Sequence, residues 1–326
     1  MNARPSARHP ALLILIALVA VVAVACGSVG SGGTLSPRSP DSGTIPPATP
    51  EPSDSPASPE PSDEPTAPGA TPTPAAPTAT PRPTATPSGA TTVRIYLFLD
   101  GRLVPVLREV PATRAVGRAA LNELFAGPNR DESSASLTTS IPDGTILLGL
   151  DISDGLATVD LSREFESGGG SASMFGRLAQ VVYTLTQFPT VEGVTFRLDG
   201  EPVTAFSGEG ILLDGPSVRA DYESFLPSIF VDRPAWGASL GNPGRITGIA
   251  NVFEASFMIE IRDSAGRTLV REHAMATCGT GCWGTFDVTL RYDVARRQAG
   301  SLVTYVLSAR DGSIEELRSY PVTLVP

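Results

Sequence analysis

The sequence predicts two consecutive folds: an α+β domain of order ββαββαβ over residues 91–214, and an all-β sandwich over 228–326. Three observations carry this. In the first half, two stretches of helical periodicity, around Leu121 and Leu178, interrupt short alternating runs rich in β-formers. After Pro227 the helical period disappears, and alternating runs recur between turns rich in Gly, Pro and Asn. A long proline-rich stretch precedes both, leaving 236 residues after position 90, enough for two domains with their own cores.

The chain begins with a leader. Arg4 and Arg8 form a basic segment, Ala11 to Ala25 is apolar and uncharged, and Cys26-Gly27 follows. The run is short for a bilayer-spanning helix, which needs roughly 20 residues, and has the form of a signal peptide. Ala23-Val24-Ala25-Cys26 resembles a bacterial lipoprotein box, with Ala23 where the usual pattern prefers Leu. The resemblance implies cleavage after residue 25 and lipid attachment at Cys26. A signal cut elsewhere, or a short uncleaved anchor, is the alternative.

Residues 26–90 form a tether. Seventeen of the 31 prolines lie between 34 and 90, mixed with Ser, Thr, Ala and a few acids. So little apolar surface cannot offset the entropy of ordering. An extended polyproline conformation gives such a tether a reach on the order of 150 Å, suited to holding a domain away from a membrane.

Beyond the tether stand 28 acidic and 20 basic side chains, a net charge of −8, and every base in the chain is arginine. A mildly acidic surface argues against nucleic acid and against charge-driven binding to anionic headgroups. Cys278 and Cys282 form a Cys-Gly-Thr-Gly-Cys turn. In an exported protein this pair is expected to close a local disulfide, because the glycines let the Cα atoms approach to about 5.5 Å. Free thiols and a metal site are the alternatives, the latter lacking ligands because His273 is the one histidine after the leader. No metal or cofactor is expected.

In the first domain, Thr92 to Leu99 and Leu103 to Val110 alternate around Asp100-Gly101, a hairpin signal. Pro105 places a sheet edge in the second strand. A helix follows with Val116, Ala120, Leu121, Leu124 and Phe125 on one face, Thr113 as its cap, and Gly127-Pro128 as its stop. Thr145 to Leu150 and Leu156 to Leu161 form a second hairpin around Ser153-Asp154-Gly155. The second helix presents Met174, Phe175, Leu178, Val181, Val182 and Leu185, with Tyr183 as packing and Thr184 as a hydroxyl bonded back to its own helix. Val194 to Leu198 is the last strand. Asp160 and Ser162 are read as turn residues. Two helices on one side of a mainly antiparallel sheet make the α+β layer. Gly168 to Gly170 lacks a Walker lysine and dinucleotide spacing.

Leu124-Phe-Ala-Gly-Pro128, Ile141-Pro-Asp-Gly-Thr145, Ala157-Thr-Val-Asp-Leu-Ser162, Val182-Tyr-Thr-Leu-Thr186 and Val191-Glu-Gly-Val194 occur in this order. They resemble the GerMN domain of bacterial sporulation and germination proteins. The resemblance implies a non-catalytic domain outside the membrane; related folds build rings by packing helix against sheet.

After a connector at 215–227, seven strands are expected: 229–231, 245–252, 256–262, 268–276, 285–291, 301–309 and 317–324. Their number and turns predict an immunoglobulin-like sandwich without the Cys…Trp…Cys signature of antibody domains. Trp236 and Trp283 read as core or rim aromatics, and Glu254 as a solvated strand residue. Gly248-Ile-Ala-Asn-Val-Phe-Glu-Ala255 and Trp283-Gly-Thr-Phe286 resemble the immunoglobulin-like domain of bacterial spore germination proteins, which often follows a GerMN domain.

Catalysis finds little support. His273 lacks a Gly-x-Ser-x-Gly partner motif, no lysine exists, and the cysteines are expected to be paired. A carboxylate pair for glycoside cleavage is the enzyme reading left open. The expectation is a non-enzymatic, lipid-anchored protein on the outer face of the cell membrane. It is expected to act through contacts with envelope or membrane proteins, self-association included, as a scaffold or sensor accessory. A cell-wall glycan or small-ligand binding lipoprotein is the alternative, and the ligand is unspecified. Replacing the lipidation residue (Cys26→Ala) is expected to abolish lipid labelling and membrane retention, read by fractionation of expressing cells.

Overall fold

The computed structural model describes residues 89–208 and 210–326, all within one compact unit. The expected signal peptide (1–25), the lipidation site Cys26 and the tether up to residue 88 lie outside the described residues.

The first domain opens with β1 (Ala90–Leu99) and β2 (Arg102–Pro111), paired antiparallel along their whole length. Asp100 and Gly101 both take positive φ, the two-residue turn that matches strand twist. Helix α1 (Val116–Phe125) starts two residues later than Thr113 would cap it. Ala115 occupies the cap position without a side-chain bond, and Thr113 Oγ1 accepts from Ala115 N–H at 3.1 Å instead. Gly127, at φ +72°, ends the helix region as expected.

Next comes a helix that was not expected, α2 (Arg130–Ser134), closed by a reciprocal capping box between Asn129 and Glu132. Glu132 is buried and clamped by Arg108 of β2, whose second nitrogen bonds Glu132 Oε2 at 2.6 Å and the Gly127 carbonyl at 3.3 Å. The Leu124-to-Pro128 motif is thus pinned to β2 by one arginine.

The strands β3 (Leu147–Ser153) and β4 (Leu156–Leu161) form the second hairpin, again around an Asp-Gly pair of positive φ. Helix α3 (Ser171–Leu185) crosses over so that β5 (Gly193–Leu198) lies parallel to β4. Short β6 (Glu201–Pro202) returns against β5 after Asp199-Gly200, and β7 (Ala205–Phe206) pairs with β8 (Ile211–Leu212).

The first hairpin is not hydrogen-bonded to the β3–β6 sheet, a departure from the single sheet expected. Helix α3 stands where a neighbouring strand would. Gln187, just past its C-terminus, accepts from Arg94 N–H at 2.8 Å and donates to the Arg94 carbonyl at 2.6 Å. Thr184 Oγ1 accepts from Tyr96 N–H at 3.3 Å, and Gln180 donates to the Tyr96 carbonyl at 2.8 Å. Thr138 completes the edge by exchanging two bonds with Phe98. Thr184 is therefore not bonded back to its own helix; Thr186 is, through Val182 O at 2.7 Å.

Helix α3 is buried from Gly176 to Leu185 on every side, whereas Phe175, expected on its inner face, is exposed. Buried Arg177 finds carbonyl partners in Ser140, Phe165 and Gly168. Asp160 and Ser162 act as expected at a strand end, accepting from Gly200 N–H at 2.9 Å and Ile146 N–H at 3.0 Å.

The second domain comprises β9 (Ile229–Arg233), β10 (Ser239–Leu240), β11 (Gly244–Ala250), β12 (Ser256–Asp263), β13 (Thr268–Met275), β14 (Gly284–Leu290), β15 (Gln298–Leu307) and β16 (Ile314–Leu324). They form two sheets, β14-β11-β9 and β10-β16-β15-β12-β13. Ile246, Phe257, Ile259, Ile261, Leu302 and Tyr320 contribute to the core. Gly248 is obligatory at a bulge between β9 and β11, because a Cβ there would stand 1.9 Å from the Phe230 carbonyl oxygen. On β12, Glu260 is fully buried. Burial alone would raise its pKa, but bonds from Arg262, Tyr305 and Arg271 outweigh that and hold it at about 2.

Replacing Gln180 by Leu keeps the helix but orphans the Tyr96 carbonyl and Ser140 N–H, which Gln180 pairs at 2.8 and 2.9 Å. The expected loss is about 1–3 kcal/mol for each orphaned group, measured by urea unfolding.

Candidate functional site

The connector at 215–227 is not a free linker. Val194 and Ser217 exchange two backbone bonds, Asp221 accepts from Val218 N–H at 2.8 Å, and Arg219–Phe225 winds into a 3-10 turn with Tyr222 buried. This turn delivers Arg219 to a node joining both domains. The guanidinium lies 4.6 Å from the Tyr183 ring centroid and 5.5 Å from that of Tyr96. It donates to Tyr96 Oη at 3.1 Å, Tyr183 O at 3.2 Å and Thr186 Oγ1 at 2.8 Å.

Tyr96 Oη donates to Asp232 on β9 at 2.5 Å, and Asp232 also faces Arg94 at 3.6 Å and Arg219 at 3.8 Å. Burial, reinforced by the Asp232 charge, pushes the Tyr96 phenol up to about 12. The rings of Tyr96, Tyr183 and Phe230 pack together beside these charges. One hydrophobic cluster runs from Ile95 through Phe230 to Leu324, so the two domains share a core. Trp236 extends the junction, its backbone N–H donating to the Pro105 carbonyl at 2.8 Å on the outer edge of β2. That edge is the one Pro105 marks in the sequence.

A cleft opens next to Arg219 on the outer face of the three-stranded sheet, lined by Phe230, Asp232, Ile249, Met275 and Phe286 among others. Neither tryptophan lines it. Both are partly buried and packed against the core.

The second candidate lies at one end of the sandwich. Glu254 is not in a strand. It occupies the 3-10 turn Phe253–Ala255, where Glu254 and Ala255 both take positive φ, at 53° and 56°. Non-glycine residues rarely adopt this conformation, so the turn is held by its surroundings. Thr280 supplies two of the restraints: its Oγ1 accepts from Glu254 N–H at 3.0 Å, and its N–H donates to Val252 O at 2.9 Å. Gly281 N–H donates to Asn251 Oδ1 at 2.9 Å. A Cβ on Gly279 would stand 2.4 Å from Ala255 N, so the two loops meet backbone to backbone. Cys278 and Cys282 bracket this loop with Cα atoms 5.9 Å apart, a disulfide spacing. Phe253 is left displayed, 62% exposed.

Beside this turn, Ser256 Oγ lies 2.6 Å from His273 Nε2, a contact across β12 and β13. Both residues are on the exposed face of the sheet, and among the described residues no carboxylate bonds the imidazole to orient it as a triad requires. Among the described residues, no group of three or more His, Cys, Asp or Glu side chains could hold a metal ion. No helix of the described residues is long and apolar enough to cross a membrane.

Sequence reasoning singled out Trp236, Trp283, Glu254 and the cysteines, and did not find Arg219, Asp232, Ser256 or Glu315. A signal for the first existed: Tyr222 and Phe225 in a supposed linker mark it as packed.

A shared-core pair of an α+β domain and an immunoglobulin-like sandwich defines a two-module protein. Residues 94–204 match the family model for sporulation and spore germination (Germane), and residues 228–313 match the immunoglobulin-like domain of bacterial spore germination (Gmad2). The chain carries a GerMN domain followed by a Gmad2 domain, in the order its motifs imply. It is 29% identical over 177 residues to lipoprotein LpqB of Thermobifida fusca (strain YX), a match covering 54% of this chain and 27% of that protein. The chain thus spans about a quarter of the length of that curated relative. Among solved structures, it is similar to the first GerMN domain of sporulation protein GerM from Bacillus subtilis. That match has 22% identity and a TM-score of 0.35, covering 40% of this chain and 99% of the other. The tandem GerMN domains of the same protein match at 16% identity and a TM-score of 0.38, covering 73% and 61%.

Because Arg219 serves both domains, Arg219→Met is expected to split one cooperative urea transition of residues 79–326 into two, or to lower its midpoint. Circular dichroism and tyrosine fluorescence would report the change. A second variant, Tyr96→Phe, removes only the hydroxyl and is expected to cost about 1.5–3 kcal/mol, as for a hydrogen bond to a charged group.

Proposed function

We propose that this chain is a lipid-anchored, non-enzymatic envelope protein that works by protein contact, as an assembly scaffold or a sensor accessory. Cys26 carries the lipid and Cys278–Cys282 is oxidised outside the membrane. The observation that carries the reading is the surface of a body joined through one core. Its large exposed side chains include Ile146, Leu148 and Ile152 in the first domain, and Phe253, Met275 and Leu307 in the second. Exposed apolar groups on a rigid frame suit protein contacts. The germination-type domains and the lipoprotein relative support the setting.

The wall-glycan reading predicts a different result. Carboxylate-directed cross-linking of intact cells, chosen because the chain has no lysine, is expected to yield discrete protein adducts. Purified wall fragments are expected not to retain the folded unit. Retention that is lost in Trp236→Ala or Trp283→Ala would overturn the protein-contact reading. Mass spectrometry of the non-reduced exported protein is expected to find Cys278 and Cys282 protected from alkylation, and alkylation of both would sink the disulfide.

A further inference from the structure

A groove lies between the Phe253–Ala255 turn and the β15–β16 hairpin. It encloses about 570 Å³, in the range of sites that take small ligands and peptide segments. Met258, Val306 and Leu307 give it an apolar lining. Phe253 stands over one side. Glu254, Glu315 and Glu316 add three carboxylates to the lining, of which Glu316 also accepts from Ser228 Oγ. Arg310 is the groove's one arginine, and it faces its own neighbour Asp311 at 3.5 Å. His273, the other basic group, is engaged with Ser256.

The far wall exists because the β15–β16 ladder slips. Thr304 pairs with Arg318, but Val306 pairs with Glu315, so Glu316 and Leu317 together oppose Tyr305. A bulge of this kind re-aims side chains, and Glu316 takes φ 54° there. The near wall is the turn braced by Thr280 and the Cys278–Cys282 loop.

We propose that this groove docks a short cationic, aliphatic segment of a partner protein. A Leu- or Val-type side chain packs on Met258 and Leu307 beneath Phe253, and an adjacent Arg or Lys meets the three carboxylates. Charge complementarity selects this occupant: apolar burial supplies affinity, while the acidic lining rejects anionic segments. A second copy of the chain, with net charge −10, is disfavoured by the same electrostatics. The inference rests on the protein-contact reading above and gives one such contact its chemistry.

The test titrates acetyl-Arg-Leu-Arg-Val-amide, and separately acetyl-Glu-Leu-Glu-Val-amide, into isotopically labelled Ala79–Pro326, followed by amide chemical shifts. The expected result is saturable binding of the arginine peptide alone, with shifts gathered at Phe253, Glu254, Met258, Leu307 and Glu315. Glu254→Gln combined with Glu315→Gln is expected to weaken binding at least fivefold. Phe253→Ser, at an exposed position that leaves the fold intact, is expected to weaken it comparably. Equal binding of the two peptides, shifts centred elsewhere, no saturation at millimolar peptide, or equally tight binding of spermidine would each overturn the proposal. The cellular cross-links are read independently, so a silent groove with protein adducts intact overturns the groove and spares the protein-contact reading.

Discussion

A strand edge inside a protein must pair its N–H and C=O groups, and the first domain depends on how β1 meets that demand. Arg94, Tyr96 and Phe98 direct six backbone groups away from β2, and no strand receives them. Gln180 and Thr184 of α3, Gln187 just past its end, and Thr138 take all six. The helix is thereby held close against the hairpin, close enough that a Cβ on Gly176 would meet the Phe98 ring at 3.3 Å. Once α3 lies there, its remaining faces are free to pack on β5, α1 and the connector. Its burial on all sides follows from that placement.

The same helix presents Tyr183 to the second domain. Arg219 is stacked on that ring and is bonded to Tyr96 of β1, Tyr183 of α3 and Thr186 just after that helix, while Asp232 of β9 supplies the countercharge. A cation held between two aromatic rings and a carboxylate is costly to leave half-paired. Separating the domains would leave it so, and would also expose Tyr96 and Phe230. The sandwich is therefore presented in a fixed relation to the first domain.

A fixed frame lets a loop keep a conformation it would not keep alone. The Phe253–Ala255 turn stores positive φ at two non-glycine residues and displays a phenylalanine. Its restraints come from the loop that the two cysteines bracket. Gly279 and Gly284 are needed there because a Cβ on either would strike backbone, at 2.4 Å from Ala255 N and 2.2 Å from Cys278 N. The Gly248-to-Ala255 and Trp283-to-Phe286 motifs thus belong to one construction, with Gly248 seating β9 and Gly284 seating the cysteine loop.

Local chemistry was legible in the sequence alone. Asp100-Gly101 and Asp154-Gly155 had to turn hairpins because Gly and Asp tolerate positive φ. Gly127-Pro128 had to end a helix, and alternation after Pro227 had to build a sandwich. The motifs that name both domains lie in these local elements, so the domain order could be read from the chain. Tertiary structure alone decided the rest. Periodicity predicted an amphipathic α3 with Phe175 inside, but hydrogen-bond demand from β1, more than 80 residues away in sequence, made Gln180 and Thr184 core residues. Glu254 left its expected strand because contacts with Thr280 outweigh local β preference. The acidic groove likewise arises from a ladder slip between β15 and β16 that brings Glu315 and Glu316 to Phe253. Such contacts between distant segments leave no period in the sequence.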